Sequence, residues 1–176
     1  MKAFLIAMAV ALGALAAPAP AWAQQDILAP AREGQLLCFA PNALRRTCSA
    51  LASYTQREDG AYVNQAQILI VREPVIVMVI ASLVAVRDNA VCGPMTTRHL
   101  EGALFAIDGQ RASDDNAAYL REQVAAMPGF LGNEVCTTHV SSAAGLSAQH
   151  TNNGASSGES TQMVWVRPDQ GYRVAP

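Results

Sequence analysis

Residues 73–94 read EPVIVMVIASLVAVRDNAVCGP, and the fold turns on how the twelve-residue, largely apolar run Val75–Val86 is taken. As a helix the run would reach only about 18 Å, short of a hydrocarbon core of about 30 Å. Arg72 and Glu73 bound it on one side, Arg87 and Asp88 on the other. Val and Ile dominate it, and their branched Cβ atoms suit a pleated strand better than a helix. The pattern therefore predicts a long buried strand, with RDNA interrupting it before Val91-Cys92. The residues just beyond Val91 raise a question of chemistry. Cys92-Gly93-Pro94 matches the start of the Cys-Gly-Pro-Cys redox motif, but Met95 stands where the second cysteine would be.

The other cysteines bear on that question. There are four, Cys38, Cys48, Cys92 and Cys136, an even number that permits three pairings. A dithiol oxidoreductase needs its two sulfurs close together, usually two residues apart at a helix start. No pair here is nearer in sequence than Cys38 and Cys48. The favoured pairing is Cys38 with Cys48, around FAPNALRRT, and Cys92 with Cys136, which ties distant segments together. In that reading Cys92 ends a strand, carries a bridge, and hands the chain to a Gly-Pro turn. A monothiol redox protein using Cys92 is the alternative.

Bridges require an oxidising compartment, and the first residues supply a route to one. MKAFLIAMAVALGALAAPAPAWA has one cation, an apolar run from Ala3 to Ala17, and the triplet Ala21-Trp22-Ala23. These features predict a signal peptide, residues 1–23, cleaved after Ala23, and a periplasmic or secreted protein with no transmembrane segment once it is removed. Residues 24–34, QQDILAPAREG, read as a flexible leader, and residues 35–176 as a single disulfide-stabilised domain.

Composition narrows the chemistry. Lys2 is the sole lysine, so Gln24 onward has no residue for a lysine Schiff base or a P-loop lysine. Basic residues are scattered, and the net charge is −2, which leaves no electrostatic footprint for nucleic acid. His99, His139 and His150 show no metal-ligand spacing; His99-Leu100-Glu101 matches the His-x-Glu of zinc deaminases but lacks their Pro-Cys-x-x-Cys. No metal and no cofactor is expected.

Outward from the apolar strand, QLLCFAP reads as a strand, one helical turn is placed at Ala43–Arg46, and a hairpin runs from Cys48 to Ile70. TTRHLEGA forms a short helix, and ALFAIDGQRAS a strand entering an Asp108-Gly109 turn. The main helix is predicted at about 114–127, capped by Ser113 or Asp114, with Ala117, Leu120, Val124 and Met127 in one stripe. NEVCTTHV returns as a strand. Ser141–Ser160, rich in Ser, Gly and Asn, reads as the long tip of a hairpin, and the chain ends in a 168–171 turn and a short strand. The expected fold class is α+β: a β-rich antiparallel sheet with one main helix and two disulfides.

The layout of Cys-x9-Cys, SY then DG then Y, DNAVCG, and WVRPDQGY near the end resembles small uncharacterised exported proteins of Gram-negative bacteria that have no assigned function. That resemblance brings no catalytic residues with it. The functional expectation is a non-catalytic structural, interaction or binding protein of the cell envelope, whose partner is an envelope protein, a polymer or a small ligand. His150, Asn152, Asn153, Ser156 and Ser157 are its candidate interaction loop. A secreted hydrolase is the alternative, built on His139 with Ser141 or Ser142, although nothing resembles Gly-x-Ser-x-Gly.

Overall fold

The computed structural model describes residues 26–143 and 145–176; the expected signal peptide lies outside them. In chain order the elements are α1 (Ala29–Arg32), β1 (Leu36–Phe39), β2 (Thr47–Cys48), β3 (Ala50–Gln56), β4 (Tyr62–Arg72), β5 (Val75–Arg87) and β6 (Ala90–Pro94). After these come α2 (Thr97–Glu101), β7 (Leu104–Ile107), β8 (Gln110–Arg111), α3 (Asp114–Ala125), β9 (Glu134–Ser142), β10 (Gly145–Asn152), β11 (Ala155–Val166) and β12 (Arg173–Val174).

The apolar run is indeed a strand, β5, and it alternates: Ile76, Met78, Ile80 and Val84 are buried while Ala81, Leu83 and Ala85 face out. Asp88 and Asn89, both at positive φ, turn it tightly into β6. Asn and Asp tolerate that left-handed conformation better than bulkier residues.

The expected α+β sheet with one main helix is overturned by the pairing. Strands β1, β3, β4, β5, β6, β9, β10 and β11 each pair antiparallel with the next, and β11 pairs back onto β1. The result is a closed eight-stranded antiparallel barrel. Closure is made by Leu36–Phe39 against Met163–Val166, whose partners lie more than a hundred residues apart in the chain. No local periodicity reports such a contact. The helix predicted at about 114–127 exists as α3, capped by Ser113 Oγ accepting from the Asn116 amide at 3.3 Å, but it is an attachment to the barrel. Its Ala117, Leu120 and Val124 are buried and Met127 is exposed.

Further local expectations change. The segment 141–160 is not a long hairpin tip: β10 and β11 run through it, joined at Asn153-Gly154, both at positive φ. Asn-Gly is the strongest short hairpin signal, and the abundance of Ser and Gly around it obscured the strands. Ala43–Arg46 form a turn and not a helical one. The N-terminal segment expected to be a loose leader carries Leu28, which is fully buried, and α1 packs on β1 and β3. Arg32 ion-pairs with Asp26 and donates to Tyr62 Oη at 3.4 Å, so the start of the described chain plugs one end of the barrel.

Inward positions carry most of the apolar side chains, and the outer wall shows Gln65, Gln67, Gln149 and Gln162 to solvent. This is the reverse of the alternation in a lipid-facing barrel. Among the described residues no helix is long and apolar enough to cross a membrane. Both disulfides lie on the outer wall. Cys38–Cys48 sits in a second small core with Leu51 and Val166, covered by Tyr172 and Val174 as β12 pairs parallel with β2. Cys92–Cys136 joins directly opposed residues of β6 and β9. Cys92 alternates with inward Val91 and Gly93, and a Cβ on Gly93 would come within 2.7 Å of the Leu83 carbonyl oxygen. Only glycine lets β6 approach β5 so closely here.

Candidate functional site: a cavity inside the barrel

An eight-stranded barrel is just wide enough for its interior side chains to fill it, or to hold one small ligand when they are small. In this barrel they are small over one half. Ala52 and Ala66 are direct partners on β3 and β4, and Ala50, Ser49 and Gly93 extend the same small-residue lining. The space left is a cavity of about 340 Å³, walled on its apolar side by Phe39, Ile68, Val84, Val91 and Met95.

Polar groups interrupt this lining in two places. The first is a row across three neighbouring strands: Tyr54 opposes Asn64, and Asn64 opposes Ser82. All three line the cavity, and none makes a side-chain hydrogen bond to another described residue. Asn64 Oδ1 is buried with no partner. Burial pushes the Tyr54 phenol well above its ordinary range, so its hydroxyl is a neutral donor; its ring meets Trp165 edge-on at 6.3 Å. The second place is His150, whose Nδ1 lies 3.1 Å from Thr137 Oγ1 and whose ring stacks on Phe39 at 6.4 Å. Burial lowers the His150 pKa, and Glu159 partly offsets this. Among the described residues no Asp, Glu, Lys or Arg lines the cavity, so at neutral pH they give it no formal charge.

The five candidate loop residues do not form one surface. His150 turns into the cavity while Asn152, Asn153, Ser156 and Ser157 are exposed. Asn153 is occupied in holding the hairpin tip: its Oδ1 accepts from the Glu134 amide at 2.8 Å and its Nδ2 donates to Asn133 Oδ1 at 2.6 Å.

The residues of the hydrolase alternative do come near one another. A separate crevice of about 260 Å³ beneath α1 is lined by Asp26, Asn89, His139, Ser141 and Trp165. They are not linked as a proton relay, because the Asp26 carboxylate is held by Arg32 and by the Leu28 amide, and buried His139 Nε2 has no partner. Ser142 Oγ is directed to the Gly145 carbonyl oxygen at 3.2 Å. A serine nucleophile needs a base within hydrogen-bond reach and an acid orienting that base. Cys92 is bridged and offers no thiolate, and no free cysteine occurs among the described residues. Nor do three His, Cys, Asp or Glu side chains gather there as a metal site. His99 is a helix-capping residue, its Nδ1 accepting from the Thr96 amide at 3.4 Å.

His139 nevertheless has a measurable consequence. Burial lowers its pKa from 6.5 to about 4, because desolvation disfavours the imidazolium. Between these values the unfolded chain binds the proton and the folded chain does not, so stability falls as pH drops from about 6.5 and levels off below about 4. The loss expected is about 2–3 kcal/mol. Urea unfolding at pH 7 and pH 4 should show it in the wild type and show it much reduced in His139→Phe; equal losses in the two proteins would refute the assignment.

The polar row had a signal in the sequence that local patterns of strand and turn did not bring out. It lies in YVNQAQILI, where Asn64 shares the parity of Tyr62 and Ala66, both inward. A polar side chain on the apolar parity of a strand marks such a position. Neither a family model, nor a curated protein, nor a solved structure matches the chain.

Proposed function

We propose that the protein is a non-catalytic, exported binding protein of the cell envelope, and that its ligand is a small, neutral, predominantly apolar molecule held inside the barrel. The observation that carries this reading is the cavity of about 340 Å³, within the range of about 300–1,000 Å³ usual for small-molecule sites. Small side chains at Ala52 and Ala66 leave apolar surface lining the cavity, and a ligand seated there gains dispersion contacts with it. A ligand carrying a full charge would lose its hydration there without gaining a counter-charge. Two disulfides are consistent with an oxidising, exported location, and the predicted signal peptide supplies the route.

The test is titration of the purified protein with the neutral fluorophore N-phenyl-1-naphthylamine. Saturable enhancement with one site per chain is the expected result, with micromolar affinity or better. Non-saturating enhancement that scales with exposed surface would refute an interior site.

A further inference from the structure

We infer that Tyr54, Asn64 and Ser82 form a recognition edge for a ligand bearing an adjacent hydrogen-bond donor and acceptor, as in a lactam or a carboxamide, on an otherwise apolar body. This rests on the ligand-binding reading above and adds the chemical class of the ligand. The three side chains occupy one inward row on β3, β4 and β5, where directly opposed Cβ atoms stand about 4.5–5.5 Å apart. Such a row is short enough for one flat polar edge to touch all of it. Buried polar groups in proteins are almost always paired, yet the buried Asn64 carbonyl oxygen has no hydrogen-bond partner among the described residues, and Tyr54 and Ser82 beside it in the cavity make no side-chain hydrogen bond to them either. An unpaired group of this kind costs stability, so Asn64, flanked in the cavity by two further polar side chains, is accounted for by a partner that comes from outside the chain.

The side-chain inventory sets the complement. Asn offers a carbonyl acceptor and an amide donor side by side, and a cis-amide edge matches both at once. Tyr54 and Ser82 flank it with hydroxyls that donate or accept as needed. Size follows from the volume. An apolar cavity of about 150 Å³ accommodates benzene, so about 340 Å³ suits a body of roughly two fused rings with its substituents.

The experiment uses two probes of matched shape, 2-quinolone, which has the lactam edge, and naphthalene, which has none. Binding of each to the full mature chain is measured by calorimetry or by displacement of N-phenyl-1-naphthylamine. We expect 2-quinolone to bind at least about tenfold more tightly than naphthalene, the advantage that two net hydrogen bonds supply. Asn64→Leu should bring the two within about twofold while naphthalene binding persists, and Tyr54→Phe, which keeps the ring, should remove part of the preference. Equal binding of both probes by the wild type, or a preference unchanged in Asn64→Leu and Tyr54→Phe, overturns the recognition edge and leaves the apolar site standing. Failure of every probe, the fluorophore included, overturns the ligand-binding reading and this inference with it.

Discussion

Replacing Cys92 and Cys136 together with alanine is expected to lower stability by about 4 kcal/mol, as the chain-entropy relation gives for a bridge closing a loop of this length. The sequence separation is 44 residues, against 10 for Cys38–Cys48, whose removal should cost closer to 3 kcal/mol. A domain commonly has only about 5–15 kcal/mol in total, and for one of this size the larger loss corresponds to a fall in melting temperature of roughly 8–16 °C. The site has a structural reason to matter. β6 is five residues long and meets β9 along Ala90–Pro94, and between these two strands the chain leaves the barrel to build α2, β7, β8 and α3. The bridge joins the two sides of that excursion at the barrel wall. Chemical denaturation of the double variant under oxidising conditions measures the effect, and a loss below about 1 kcal/mol would show that the seam holds without it.

The second large effect is on binding. Ala66→Phe places an aromatic ring in the cavity, at a position paired with Ala52 on one strand and Ile80 on the other. Affinity for N-phenyl-1-naphthylamine is expected to fall at least about a hundredfold, while stability stays level or rises by about 0.5–2 kcal/mol, as cavity-filling substitutions commonly do. The opposite signs distinguish filling from damage. A substitution that only damaged the fold would lower binding and stability together. Undiminished affinity in a folded Ala66→Phe protein would place the fluorophore elsewhere.

Local features were readable from the sequence wherever neighbouring residues determine them. The β-branched run of β5, its interruption at RDNA, the capped helix α3, the Asp108-Gly109 turn and the even set of cysteines each have their cause within a few residues or in a count. Closure of the barrel has no such cause. It depends on Leu36–Phe39 finding Met163–Val166, and on recognising as strands the polar residues of β10 and β11, whose outward positions are Ser, Gln and Gly-rich while inward Leu146, Ala148 and Met163 join the core. Reading that segment as a hairpin tip hid β10 and the first half of β11 and left an open sheet with a prominent helix. The same reading placed the candidate residues together on a hairpin tip. With His150 assigned to a loop, nothing suggested that it shares an interior with Asn64, because the two line one space only when the sheet closes.

Ligand binding inside the barrel is tested most directly by backbone amide chemical shifts of ¹⁵N-labelled protein titrated with N-phenyl-1-naphthylamine. Perturbations are predicted to concentrate at Ala52, Asn64, Ala66, Ser82, Gly93 and Thr137, which line one space though they lie on β3, β4, β5, β6 and β9. Shifts confined to exposed Leu83, Leu104 and Val164 on the outer wall, or to the crevice of His139 and Trp165, would contradict it.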